Sequence, residues 1–118
     1  MTSAANDPLE GLTPEQRLQK LGIELPPAAP AVGDYAPTAI AGSLLMTSGQ
    51  LPWIAGDLKF KGKIGAELTP EQGYQAFRLS ALNAIAQIKA ALGSLDRVKQ
   101  VVRLEGTMGC APGFTARL

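Results

Sequence analysis

The chain has no histidine. That absence removes the side chain most often used as a general base near neutral pH, the usual activator of a nucleophilic serine or cysteine, and the commonest ligand of transition metals. One cysteine is present, Cys110, which excludes an internal disulfide and a cysteine-rich zinc site. Neither a metal nor a cofactor is expected. Aromatic residues make up 5% of the sequence and charged residues 18%, with a formal net charge of +1. Such a surface has no strong field to draw in nucleic acid, an anionic membrane or an acidic substrate. No apolar run reaches the length of a transmembrane helix. The opening stretch MTSAANDPLEGL carries acidic residues and lacks the basic and apolar regions of a leader. No nucleic-acid or membrane partner is expected, and the cytoplasm is the default location.

What is present fits one small domain. The 118 residues, 46% of them hydrophobic, allow a modest core. Thr13-Pro14-Glu15-Gln16 opens a short helix: Thr13 caps, Pro14 suits the first helical position, and Gln16 reaches back to the cap. Gly22 ends it. Leu25-Pro26-Pro27-Ala28-Ala29-Pro30 reads as a semi-rigid extended arm. A weak edge strand over Tyr35 to Ile40, interrupted by Pro37, is followed by a turn at Ala41-Gly42-Ser43. A second strand then runs from Leu44 to Gln50. Ala55-Gly56-Asp57 turns the chain into a third, alternating strand over Leu58 to Ile64. Thr69-Pro70-Glu71-Gln72 repeats the earlier cap motif and opens a long helix. In it Phe77, Ala81, Ala84, Ile85, Ile88 and Leu92 recur at helical spacing, and Gly93 stops it. Val98 to Gly106 reads as a last strand, with Val102 and Leu104 on one face and Val101, Arg103 and Glu105 on the other. Strands followed by a long helix define an α+β class, a mostly antiparallel sheet with the helix packed on one face. The second sheet face is too apolar to stand in water, so a partner is expected to cover it.

Chemistry concentrates at Thr47-Ser48-Gly49-Gln50, a polar tip on an apolar strand that stops at Pro52. It reads either as a ligand-binding strand end, where a glycine lets a molecule approach the backbone, or as a plain polar terminus before a turn. Ser48 is not a nucleophile, because no histidine exists to activate it and the GxSxG elbow is absent. Lys59, Lys61 and Lys63 share one face of the third strand, to touch phosphate or simply to solvate it. Cys110 has no basic neighbour to make it reactive. Trp53 is a packing cap or a pocket wall. Tyr35 lines a pocket or covers an edge. Asp96-Arg97 reads as a surface charge pair. Glu67, Glu71 and Glu105 have no visible carboxylate partner and read as structural or solvated.

Taken together, Val32-Gly33-Asp34-Tyr35, the strand LLMTSGQLP, the helix GYQAFRLSALNAIAQIKAALGSLDRV and the strand KQVVRLEG resemble the Rid (YjgF/RidA) family, also labelled endoribonuclease L-PSP or chorismate mutase-like. The resemblance spans roughly Leu18 to Phe114 and is strongest to a longer-armed bacterial subgroup. It implies the α+β chorismate mutase-like fold, a homotrimer with pockets between subunits, and a small-molecule substrate or ligand. Active members hydrolyse reactive 2-aminoacrylate-type enamines and imines to 2-oxo acids and ammonia. The matching positions imply that Tyr35, Ser48 and Gly49 bind substrate and that Asn83 is a structural helix residue. Active members also carry a late arginine, in a segment like ARSxVxV, that clamps the substrate carboxylate. This sequence has no such segment. Arg117 falls in the tail and does not inherit the role, so no catalytic residue is assigned. The expectation is therefore a C-terminally truncated member, with the second helix and last strands missing. Residues 1–31 would form the short helix and Pro-rich arm, and residues 32–118 an incomplete family domain. A frameshift, an early stop or an incomplete gene model would produce such an ending. The ancestral deaminase activity would then be impaired; the alternative is a non-catalytic small-molecule-binding or oligomerisation module. A ribonuclease reading rests on the family label alone.

Overall fold

The computed structural model describes residues 7–30 and 33–115. Val32 and Arg117 lie outside the described residues. The elements run α1 (Pro14–Leu21), β1 (Thr38–Ala41), β2 (Leu44–Thr47), β3 (Trp53–Ile54), β4 (Asp57–Leu58), α2 (Pro70–Leu92) and a short 3-10 turn (Leu95–Arg97). Helix and antiparallel strand segregate along the chain, as the α+β reading requires.

Both helices start where their sequences say they should. Each is opened by a complete capping box, in which Thr13 or Thr69 accepts from the amide of Gln16 or Gln72 and the glutamine side chain accepts from the threonine amide. Each ends on a left-handed glycine, Gly22 or Gly93. β1 and β2 form an antiparallel hairpin in the register Thr38↔Thr47, Ala39↔Met46, Ile40↔Leu45 and Ala41↔Leu44. Its two-residue loop needs a left-handed first position, which Gly42 supplies at φ 60°. β3 and β4 form a second, minimal hairpin around Ala55-Gly56. There Ala55 takes φ 53°, a left-handed value that costs an alanine about 1 kcal/mol. α2 lies across β1, β2 and β3, and α1 packs on the 3-10 turn that follows α2.

Three expectations need correction. Val98 to Gly106 is not a strand: no residue in it has ladder pairing, and Val101, Val102 and Leu104 stand 75%, 74% and 81% exposed. A strand is defined by its neighbour, and nothing among the described residues lies alongside this segment to accept its hydrogen bonds. The segment is held only at its ends. Gly106 passes over the Phe77 ring, where a Cβ would sit 2.5 Å from Cε1. Beyond it, Ile64 N–H donates to Gly109 O and Ala111 N–H donates to Ile64 O, both at 2.9 Å. The expected strand over Leu58 to Ile64 shrinks to Asp57–Leu58: Lys59 N–H still reaches Pro52 O, Phe60 to Lys63 have no ladder pairing, and Ile64 makes only isolated bridges to Leu68 and Cys110. Lys59, Lys61 and Lys63 therefore do not form a strand face. Finally, Asp96 and Arg97 do not pair with each other. Asp96 Oδ1 accepts from Glu15 N–H at 2.9 Å, and Arg97 donates to Leu92 O at 3.1 Å.

The core is small. Among the described residues the buried hydrophobic side chains are Ile64, Ala86 and Leu95. The most buried positions of α2 are Gly73, Asn83, Ala86 and Gln87, whereas Phe77, Ala81, Ala84, Ile85, Ile88 and Leu92 are half-buried. Two amides thus occupy the inner stripe. Their burial is stable because each is hydrogen-bonded to backbone carbonyls: Asn83 Nδ2 donates to Leu51 O at 2.9 Å and to Trp53 O of β3 at 3.0 Å, and Gln87 Nε2 donates to Ala29 O.

Candidate functional site at the β2 tip

The last residue of β2 is Thr47, and the chain then leaves the sheet through Ser48, Gly49 and Gln50. Three local contacts hold this exit. Ser48 N–H donates to Pro37 O at 2.8 Å, extending the hairpin by one bond beyond its last paired residues. Gln50 Nε2 lies 3.5 Å from Ser48 Oγ, a long hydrogen bond. Immediately downstream, Asn83 pins the Leu51 and Trp53 carbonyls to α2. The exit is therefore fixed to the sheet on one side and to the helix on the other.

What remains unused at the tip is chemically specific. With Oγ accepting from Gln50, the Ser48 hydroxyl hydrogen is available to donate outward. The Gly49 N–H meets no acceptor among the described residues. Gly49 is exposed, and a Cβ added there would meet nothing within 4 Å. The Gln50 Oε1 atom is buried without a hydrogen-bond partner. Two donors beside an open glycine make a surface suited to a small molecule carrying acceptor oxygens. No titratable side chain hydrogen-bonds to Ser48, Gly49 or Gln50 among the described residues.

Tyr35 is 46% exposed in the bend before β1, with its ring folded back over Gly33. Pro37, two residues on, is what ties this bend to Ser48. No hydrogen bond joins Tyr35 to Ser48 or Gly49. Ser48 and Gly49 are thus brought together, with Tyr35 carried on the adjoining segment.

The other residues of interest have structural partners. Glu67 accepts from Lys63 N–H at 3.3 Å, Glu71 from Gln75 at 3.1 Å, and Glu105 pairs with Arg103 at 3.1 Å. Cys110 sits half-buried opposite Ile64. The Glu15 carboxyl is held below its ordinary range, because it accepts from Leu95 N–H and pairs with Lys89. It lies on α1, in the contact with the 3-10 turn. Among the described residues no three His, Cys, Asp or Glu side chains cluster as a metal site would require. No helix there is long and apolar enough to cross a membrane.

Sequence periodicity pointed to the apolar stripe of α2 and missed Gln87 and the inward role of Asn83 beside the tip. An amide recurring at i and i+4 within an apolar helix was the available signal.

The chain as a whole matches known proteins. The family model described as "YjgF/chorismate mutase-like, putative endoribonuclease" matches residues 15–113, and the chain belongs to that family. A curated relative, Protein TCP17 of Trypanosoma cruzi, is 44% identical over 98 residues, covering 83% of this chain and 61% of that protein. A crystal structure described as "a putative endoribonuclease" from Shewanella oneidensis MR-1 is 54% identical, with a TM-score of 0.71 over 75% of this chain and 59% of that one. The protein Atu1372 of Agrobacterium tumefaciens, described as of unknown function, is 37% identical, with a TM-score of 0.73 over 86% of this chain and 60% of that one. The chain thus spans about three fifths of the length of the relatives it matches.

Proposed function

We propose that the β2 tip is one wall of a small-molecule pocket completed by a neighbouring subunit of a homotrimer, and that its reaction is hydrolysis of 2-aminoacrylate-type enamines and imines to 2-oxo acids and ammonia. The observation that carries this reading is the pair of uncommitted donors, Ser48 Oγ–H and Gly49 N–H, beside an open glycine. Both would donate to substrate carboxylate or carbonyl oxygen, and water would attack the imine carbon. The wall lacks a positive charge. The cation that balances a substrate carboxylate therefore comes from a residue beyond this tip. RNA cleavage ranks below this reading, since the net charge is +1 and Lys59 is already paired with Asp57 at 3.6 Å.

A non-catalytic binding module is the second reading, favoured by the lack of any acid or base hydrogen-bonded at the tip. One experiment separates the two. The purified chain is mixed with freshly generated 2-aminoacrylate and ammonia release is followed, in parallel with binding of pyruvate monitored by backbone NMR. Gly49→Ala adds a methyl into open space and leaves the fold intact. Release above the buffer rate, cut about tenfold by Gly49→Ala, supports the deaminase. Pyruvate shifts at Ser48 and Gly49 without release support the binding module. Neither response removes the tip as a site.

A further inference from the structure

The stretch from Lys99 to Glu105 makes no backbone hydrogen bond among the described residues, and every residue in it is exposed. Its two ends are nonetheless fixed. Val98 N–H donates to Leu95 O at 2.9 Å, and Gly106 passes over the Phe77 ring. The stretch is thus a held edge, with free donors and acceptors along both sides. Val98, Val101, Val102 and Leu104 give it strand-forming side chains, and it contains no proline.

Its charges select a partner. An antiparallel strand laid against a copy of itself has a two-fold axis, so each register sets every residue opposite a fixed one. Centred on Val101, Lys99 faces Arg103 twice. Centred on Arg103, that residue faces itself. Like charges directly opposite are destabilising. Centred on Val102, Lys99 faces Glu105 twice and Val102 faces itself. A register centred on Leu104 would set Arg103 against Glu105, but it needs Gly106 to Gly109. Those residues are already committed, Gly106 to Phe77 and Gly109 O to Ile64 N–H. Registers with the axis between residues set no two charges opposite each other. The Arg103–Glu105 pair within the chain is 77% and 69% exposed. Such a pair is weak and leaves Glu105 open to a second cation.

We propose that Val98 to Gly106 pairs antiparallel with the same stretch of a second copy of this chain, centred on Val102. Lys99 of each copy lies opposite Glu105 of the other, and Val102 meets Val102 as a non-hydrogen-bonded pair. The backbone groups of Val102 then point to the opposite edge and stay free for a further neighbour. A two-fold contact cannot close a ring of three. It therefore adds to the proposed trimer, joining two rings, and does not rest on the reaction assigned to the β2 tip.

Disulfide trapping reads the register, in a Cys110→Ser background that removes the single cysteine. Val102→Cys sets two Cα atoms about 4.5 Å apart, within disulfide reach. Leu104→Cys sets them about 14 Å apart, four positions out of line. Covalent dimers should form about tenfold faster with Val102→Cys than with Leu104→Cys. With Cys110 retained, Lys99→Glu and Glu105→Lys should each weaken self-association about fivefold, and the two together should restore it. Both side chains are exposed, so neither change threatens the fold. Sedimentation above the concentrations that give the trimer should show a hexamer. The proposal is overturned if Leu104→Cys cross-links as fast as Val102→Cys, or if the charge swap fails to restore association. It is equally overturned if the amides from Lys99 to Glu105 are protected from exchange in the monomer. Val102→Cys dimers and a restoring charge swap, without any trimer, would leave this contact standing and remove the trimer alone.

Discussion

Asn83 is the side chain that ties the strand exit to α2. It is 2% exposed, and its amide holds the strand exit at Leu51 and the tryptophan at 53 to the same turn of α2. Removing it strips the Trp53 carbonyl of its side-chain donor and leaves Leu51 O with the Trp53 N–H alone, at 2.9 Å. Asn83→Ala is expected to lower stability by about 2 kcal/mol, measured as a shift in the urea midpoint at unchanged slope. Asn83→Asp tests the direction of the bonds. At neutral pH it sets a carboxylate against two carbonyl oxygens, so it should be worse than alanine. The deficit should narrow as the pH falls and the acid becomes protonated and able to donate. A variant indifferent to pH would show that Asn83 fills space and does not hold the backbone. The same geometry explains why Trp53 was ambiguous in the sequence. A single tryptophan after a proline can cap or line; here Asn83 holds its backbone to α2, and the residue lines a cavity beside the proline arm.

At the scale of elements, α1 shows how a piece too short to stand alone is kept folded. Eight residues form a marginal helix in water. Three contacts from the other end of the chain hold it: Asp96 Oδ1 on Glu15 N–H, Leu95 N–H on Glu15 Oε2 at 2.8 Å, and Lys89 Nζ on Glu15 Oε1 at 2.9 Å. The Leu95 amide, and then Lys89, hold the Glu15 carboxyl below its ordinary range. A depressed carboxyl stabilises the folded state above its unfolded pKa, and that contribution disappears as pH falls through the folded value. The α1 contact should therefore loosen as pH drops below the ordinary glutamate range, about 4. Hydrogen exchange at the Leu95 amide should accelerate there. Glu15→Gln should exchange faster at neutral pH and lose that acid-dependent step; equal acid sensitivity in the variant would assign the step to another group. Both helices were legible because their signals are local: a capping box, a first-turn proline and a terminal glycine all lie within the element. Val98 to Gly106 was not, although its alternation is just as regular. Strand formation depends on a neighbour, and alternation in VKQVVRLEG carries no information about whether one is present. The tip at Ser48-Gly49 was legible as a place, from the polar end of an apolar strand. Its uncommitted donors were not, because they follow from bonds to Pro37 and Gln50 that only the folded hairpin creates.

The whole molecule carries more surface than its length calls for. It exposes 8633 Å², where a compact monomer of this size exposes about 6,100 Å². Its radius of gyration is 16.1 Å, against about 13 Å for a compact domain of 118 residues. The excess includes apolar side chains on two segments: Ile40, Leu44 and Met46 on the hairpin, and Val101, Val102 and Leu104 on the unpaired stretch. The hydrophobic effect acts to remove such surface from water, and the unpaired backbone beside Val102 offers ladder bonds to an incoming edge. The proposed homotrimer meets both demands, so sedimentation at tens of micromolar should give a trimer that dissociates on dilution. Thermal midpoints should then rise with protein concentration, because assembly stabilises only the folded chain. Leu104→Lys should shift the equilibrium to monomer. Its effect on monomer stability should stay within about 0.5 kcal/mol, since the side chain it replaces is 81% exposed. A monomer at all concentrations, with a midpoint independent of concentration, would rule the trimer out. It would also leave the β2 tip without the neighbouring subunit that its reaction requires.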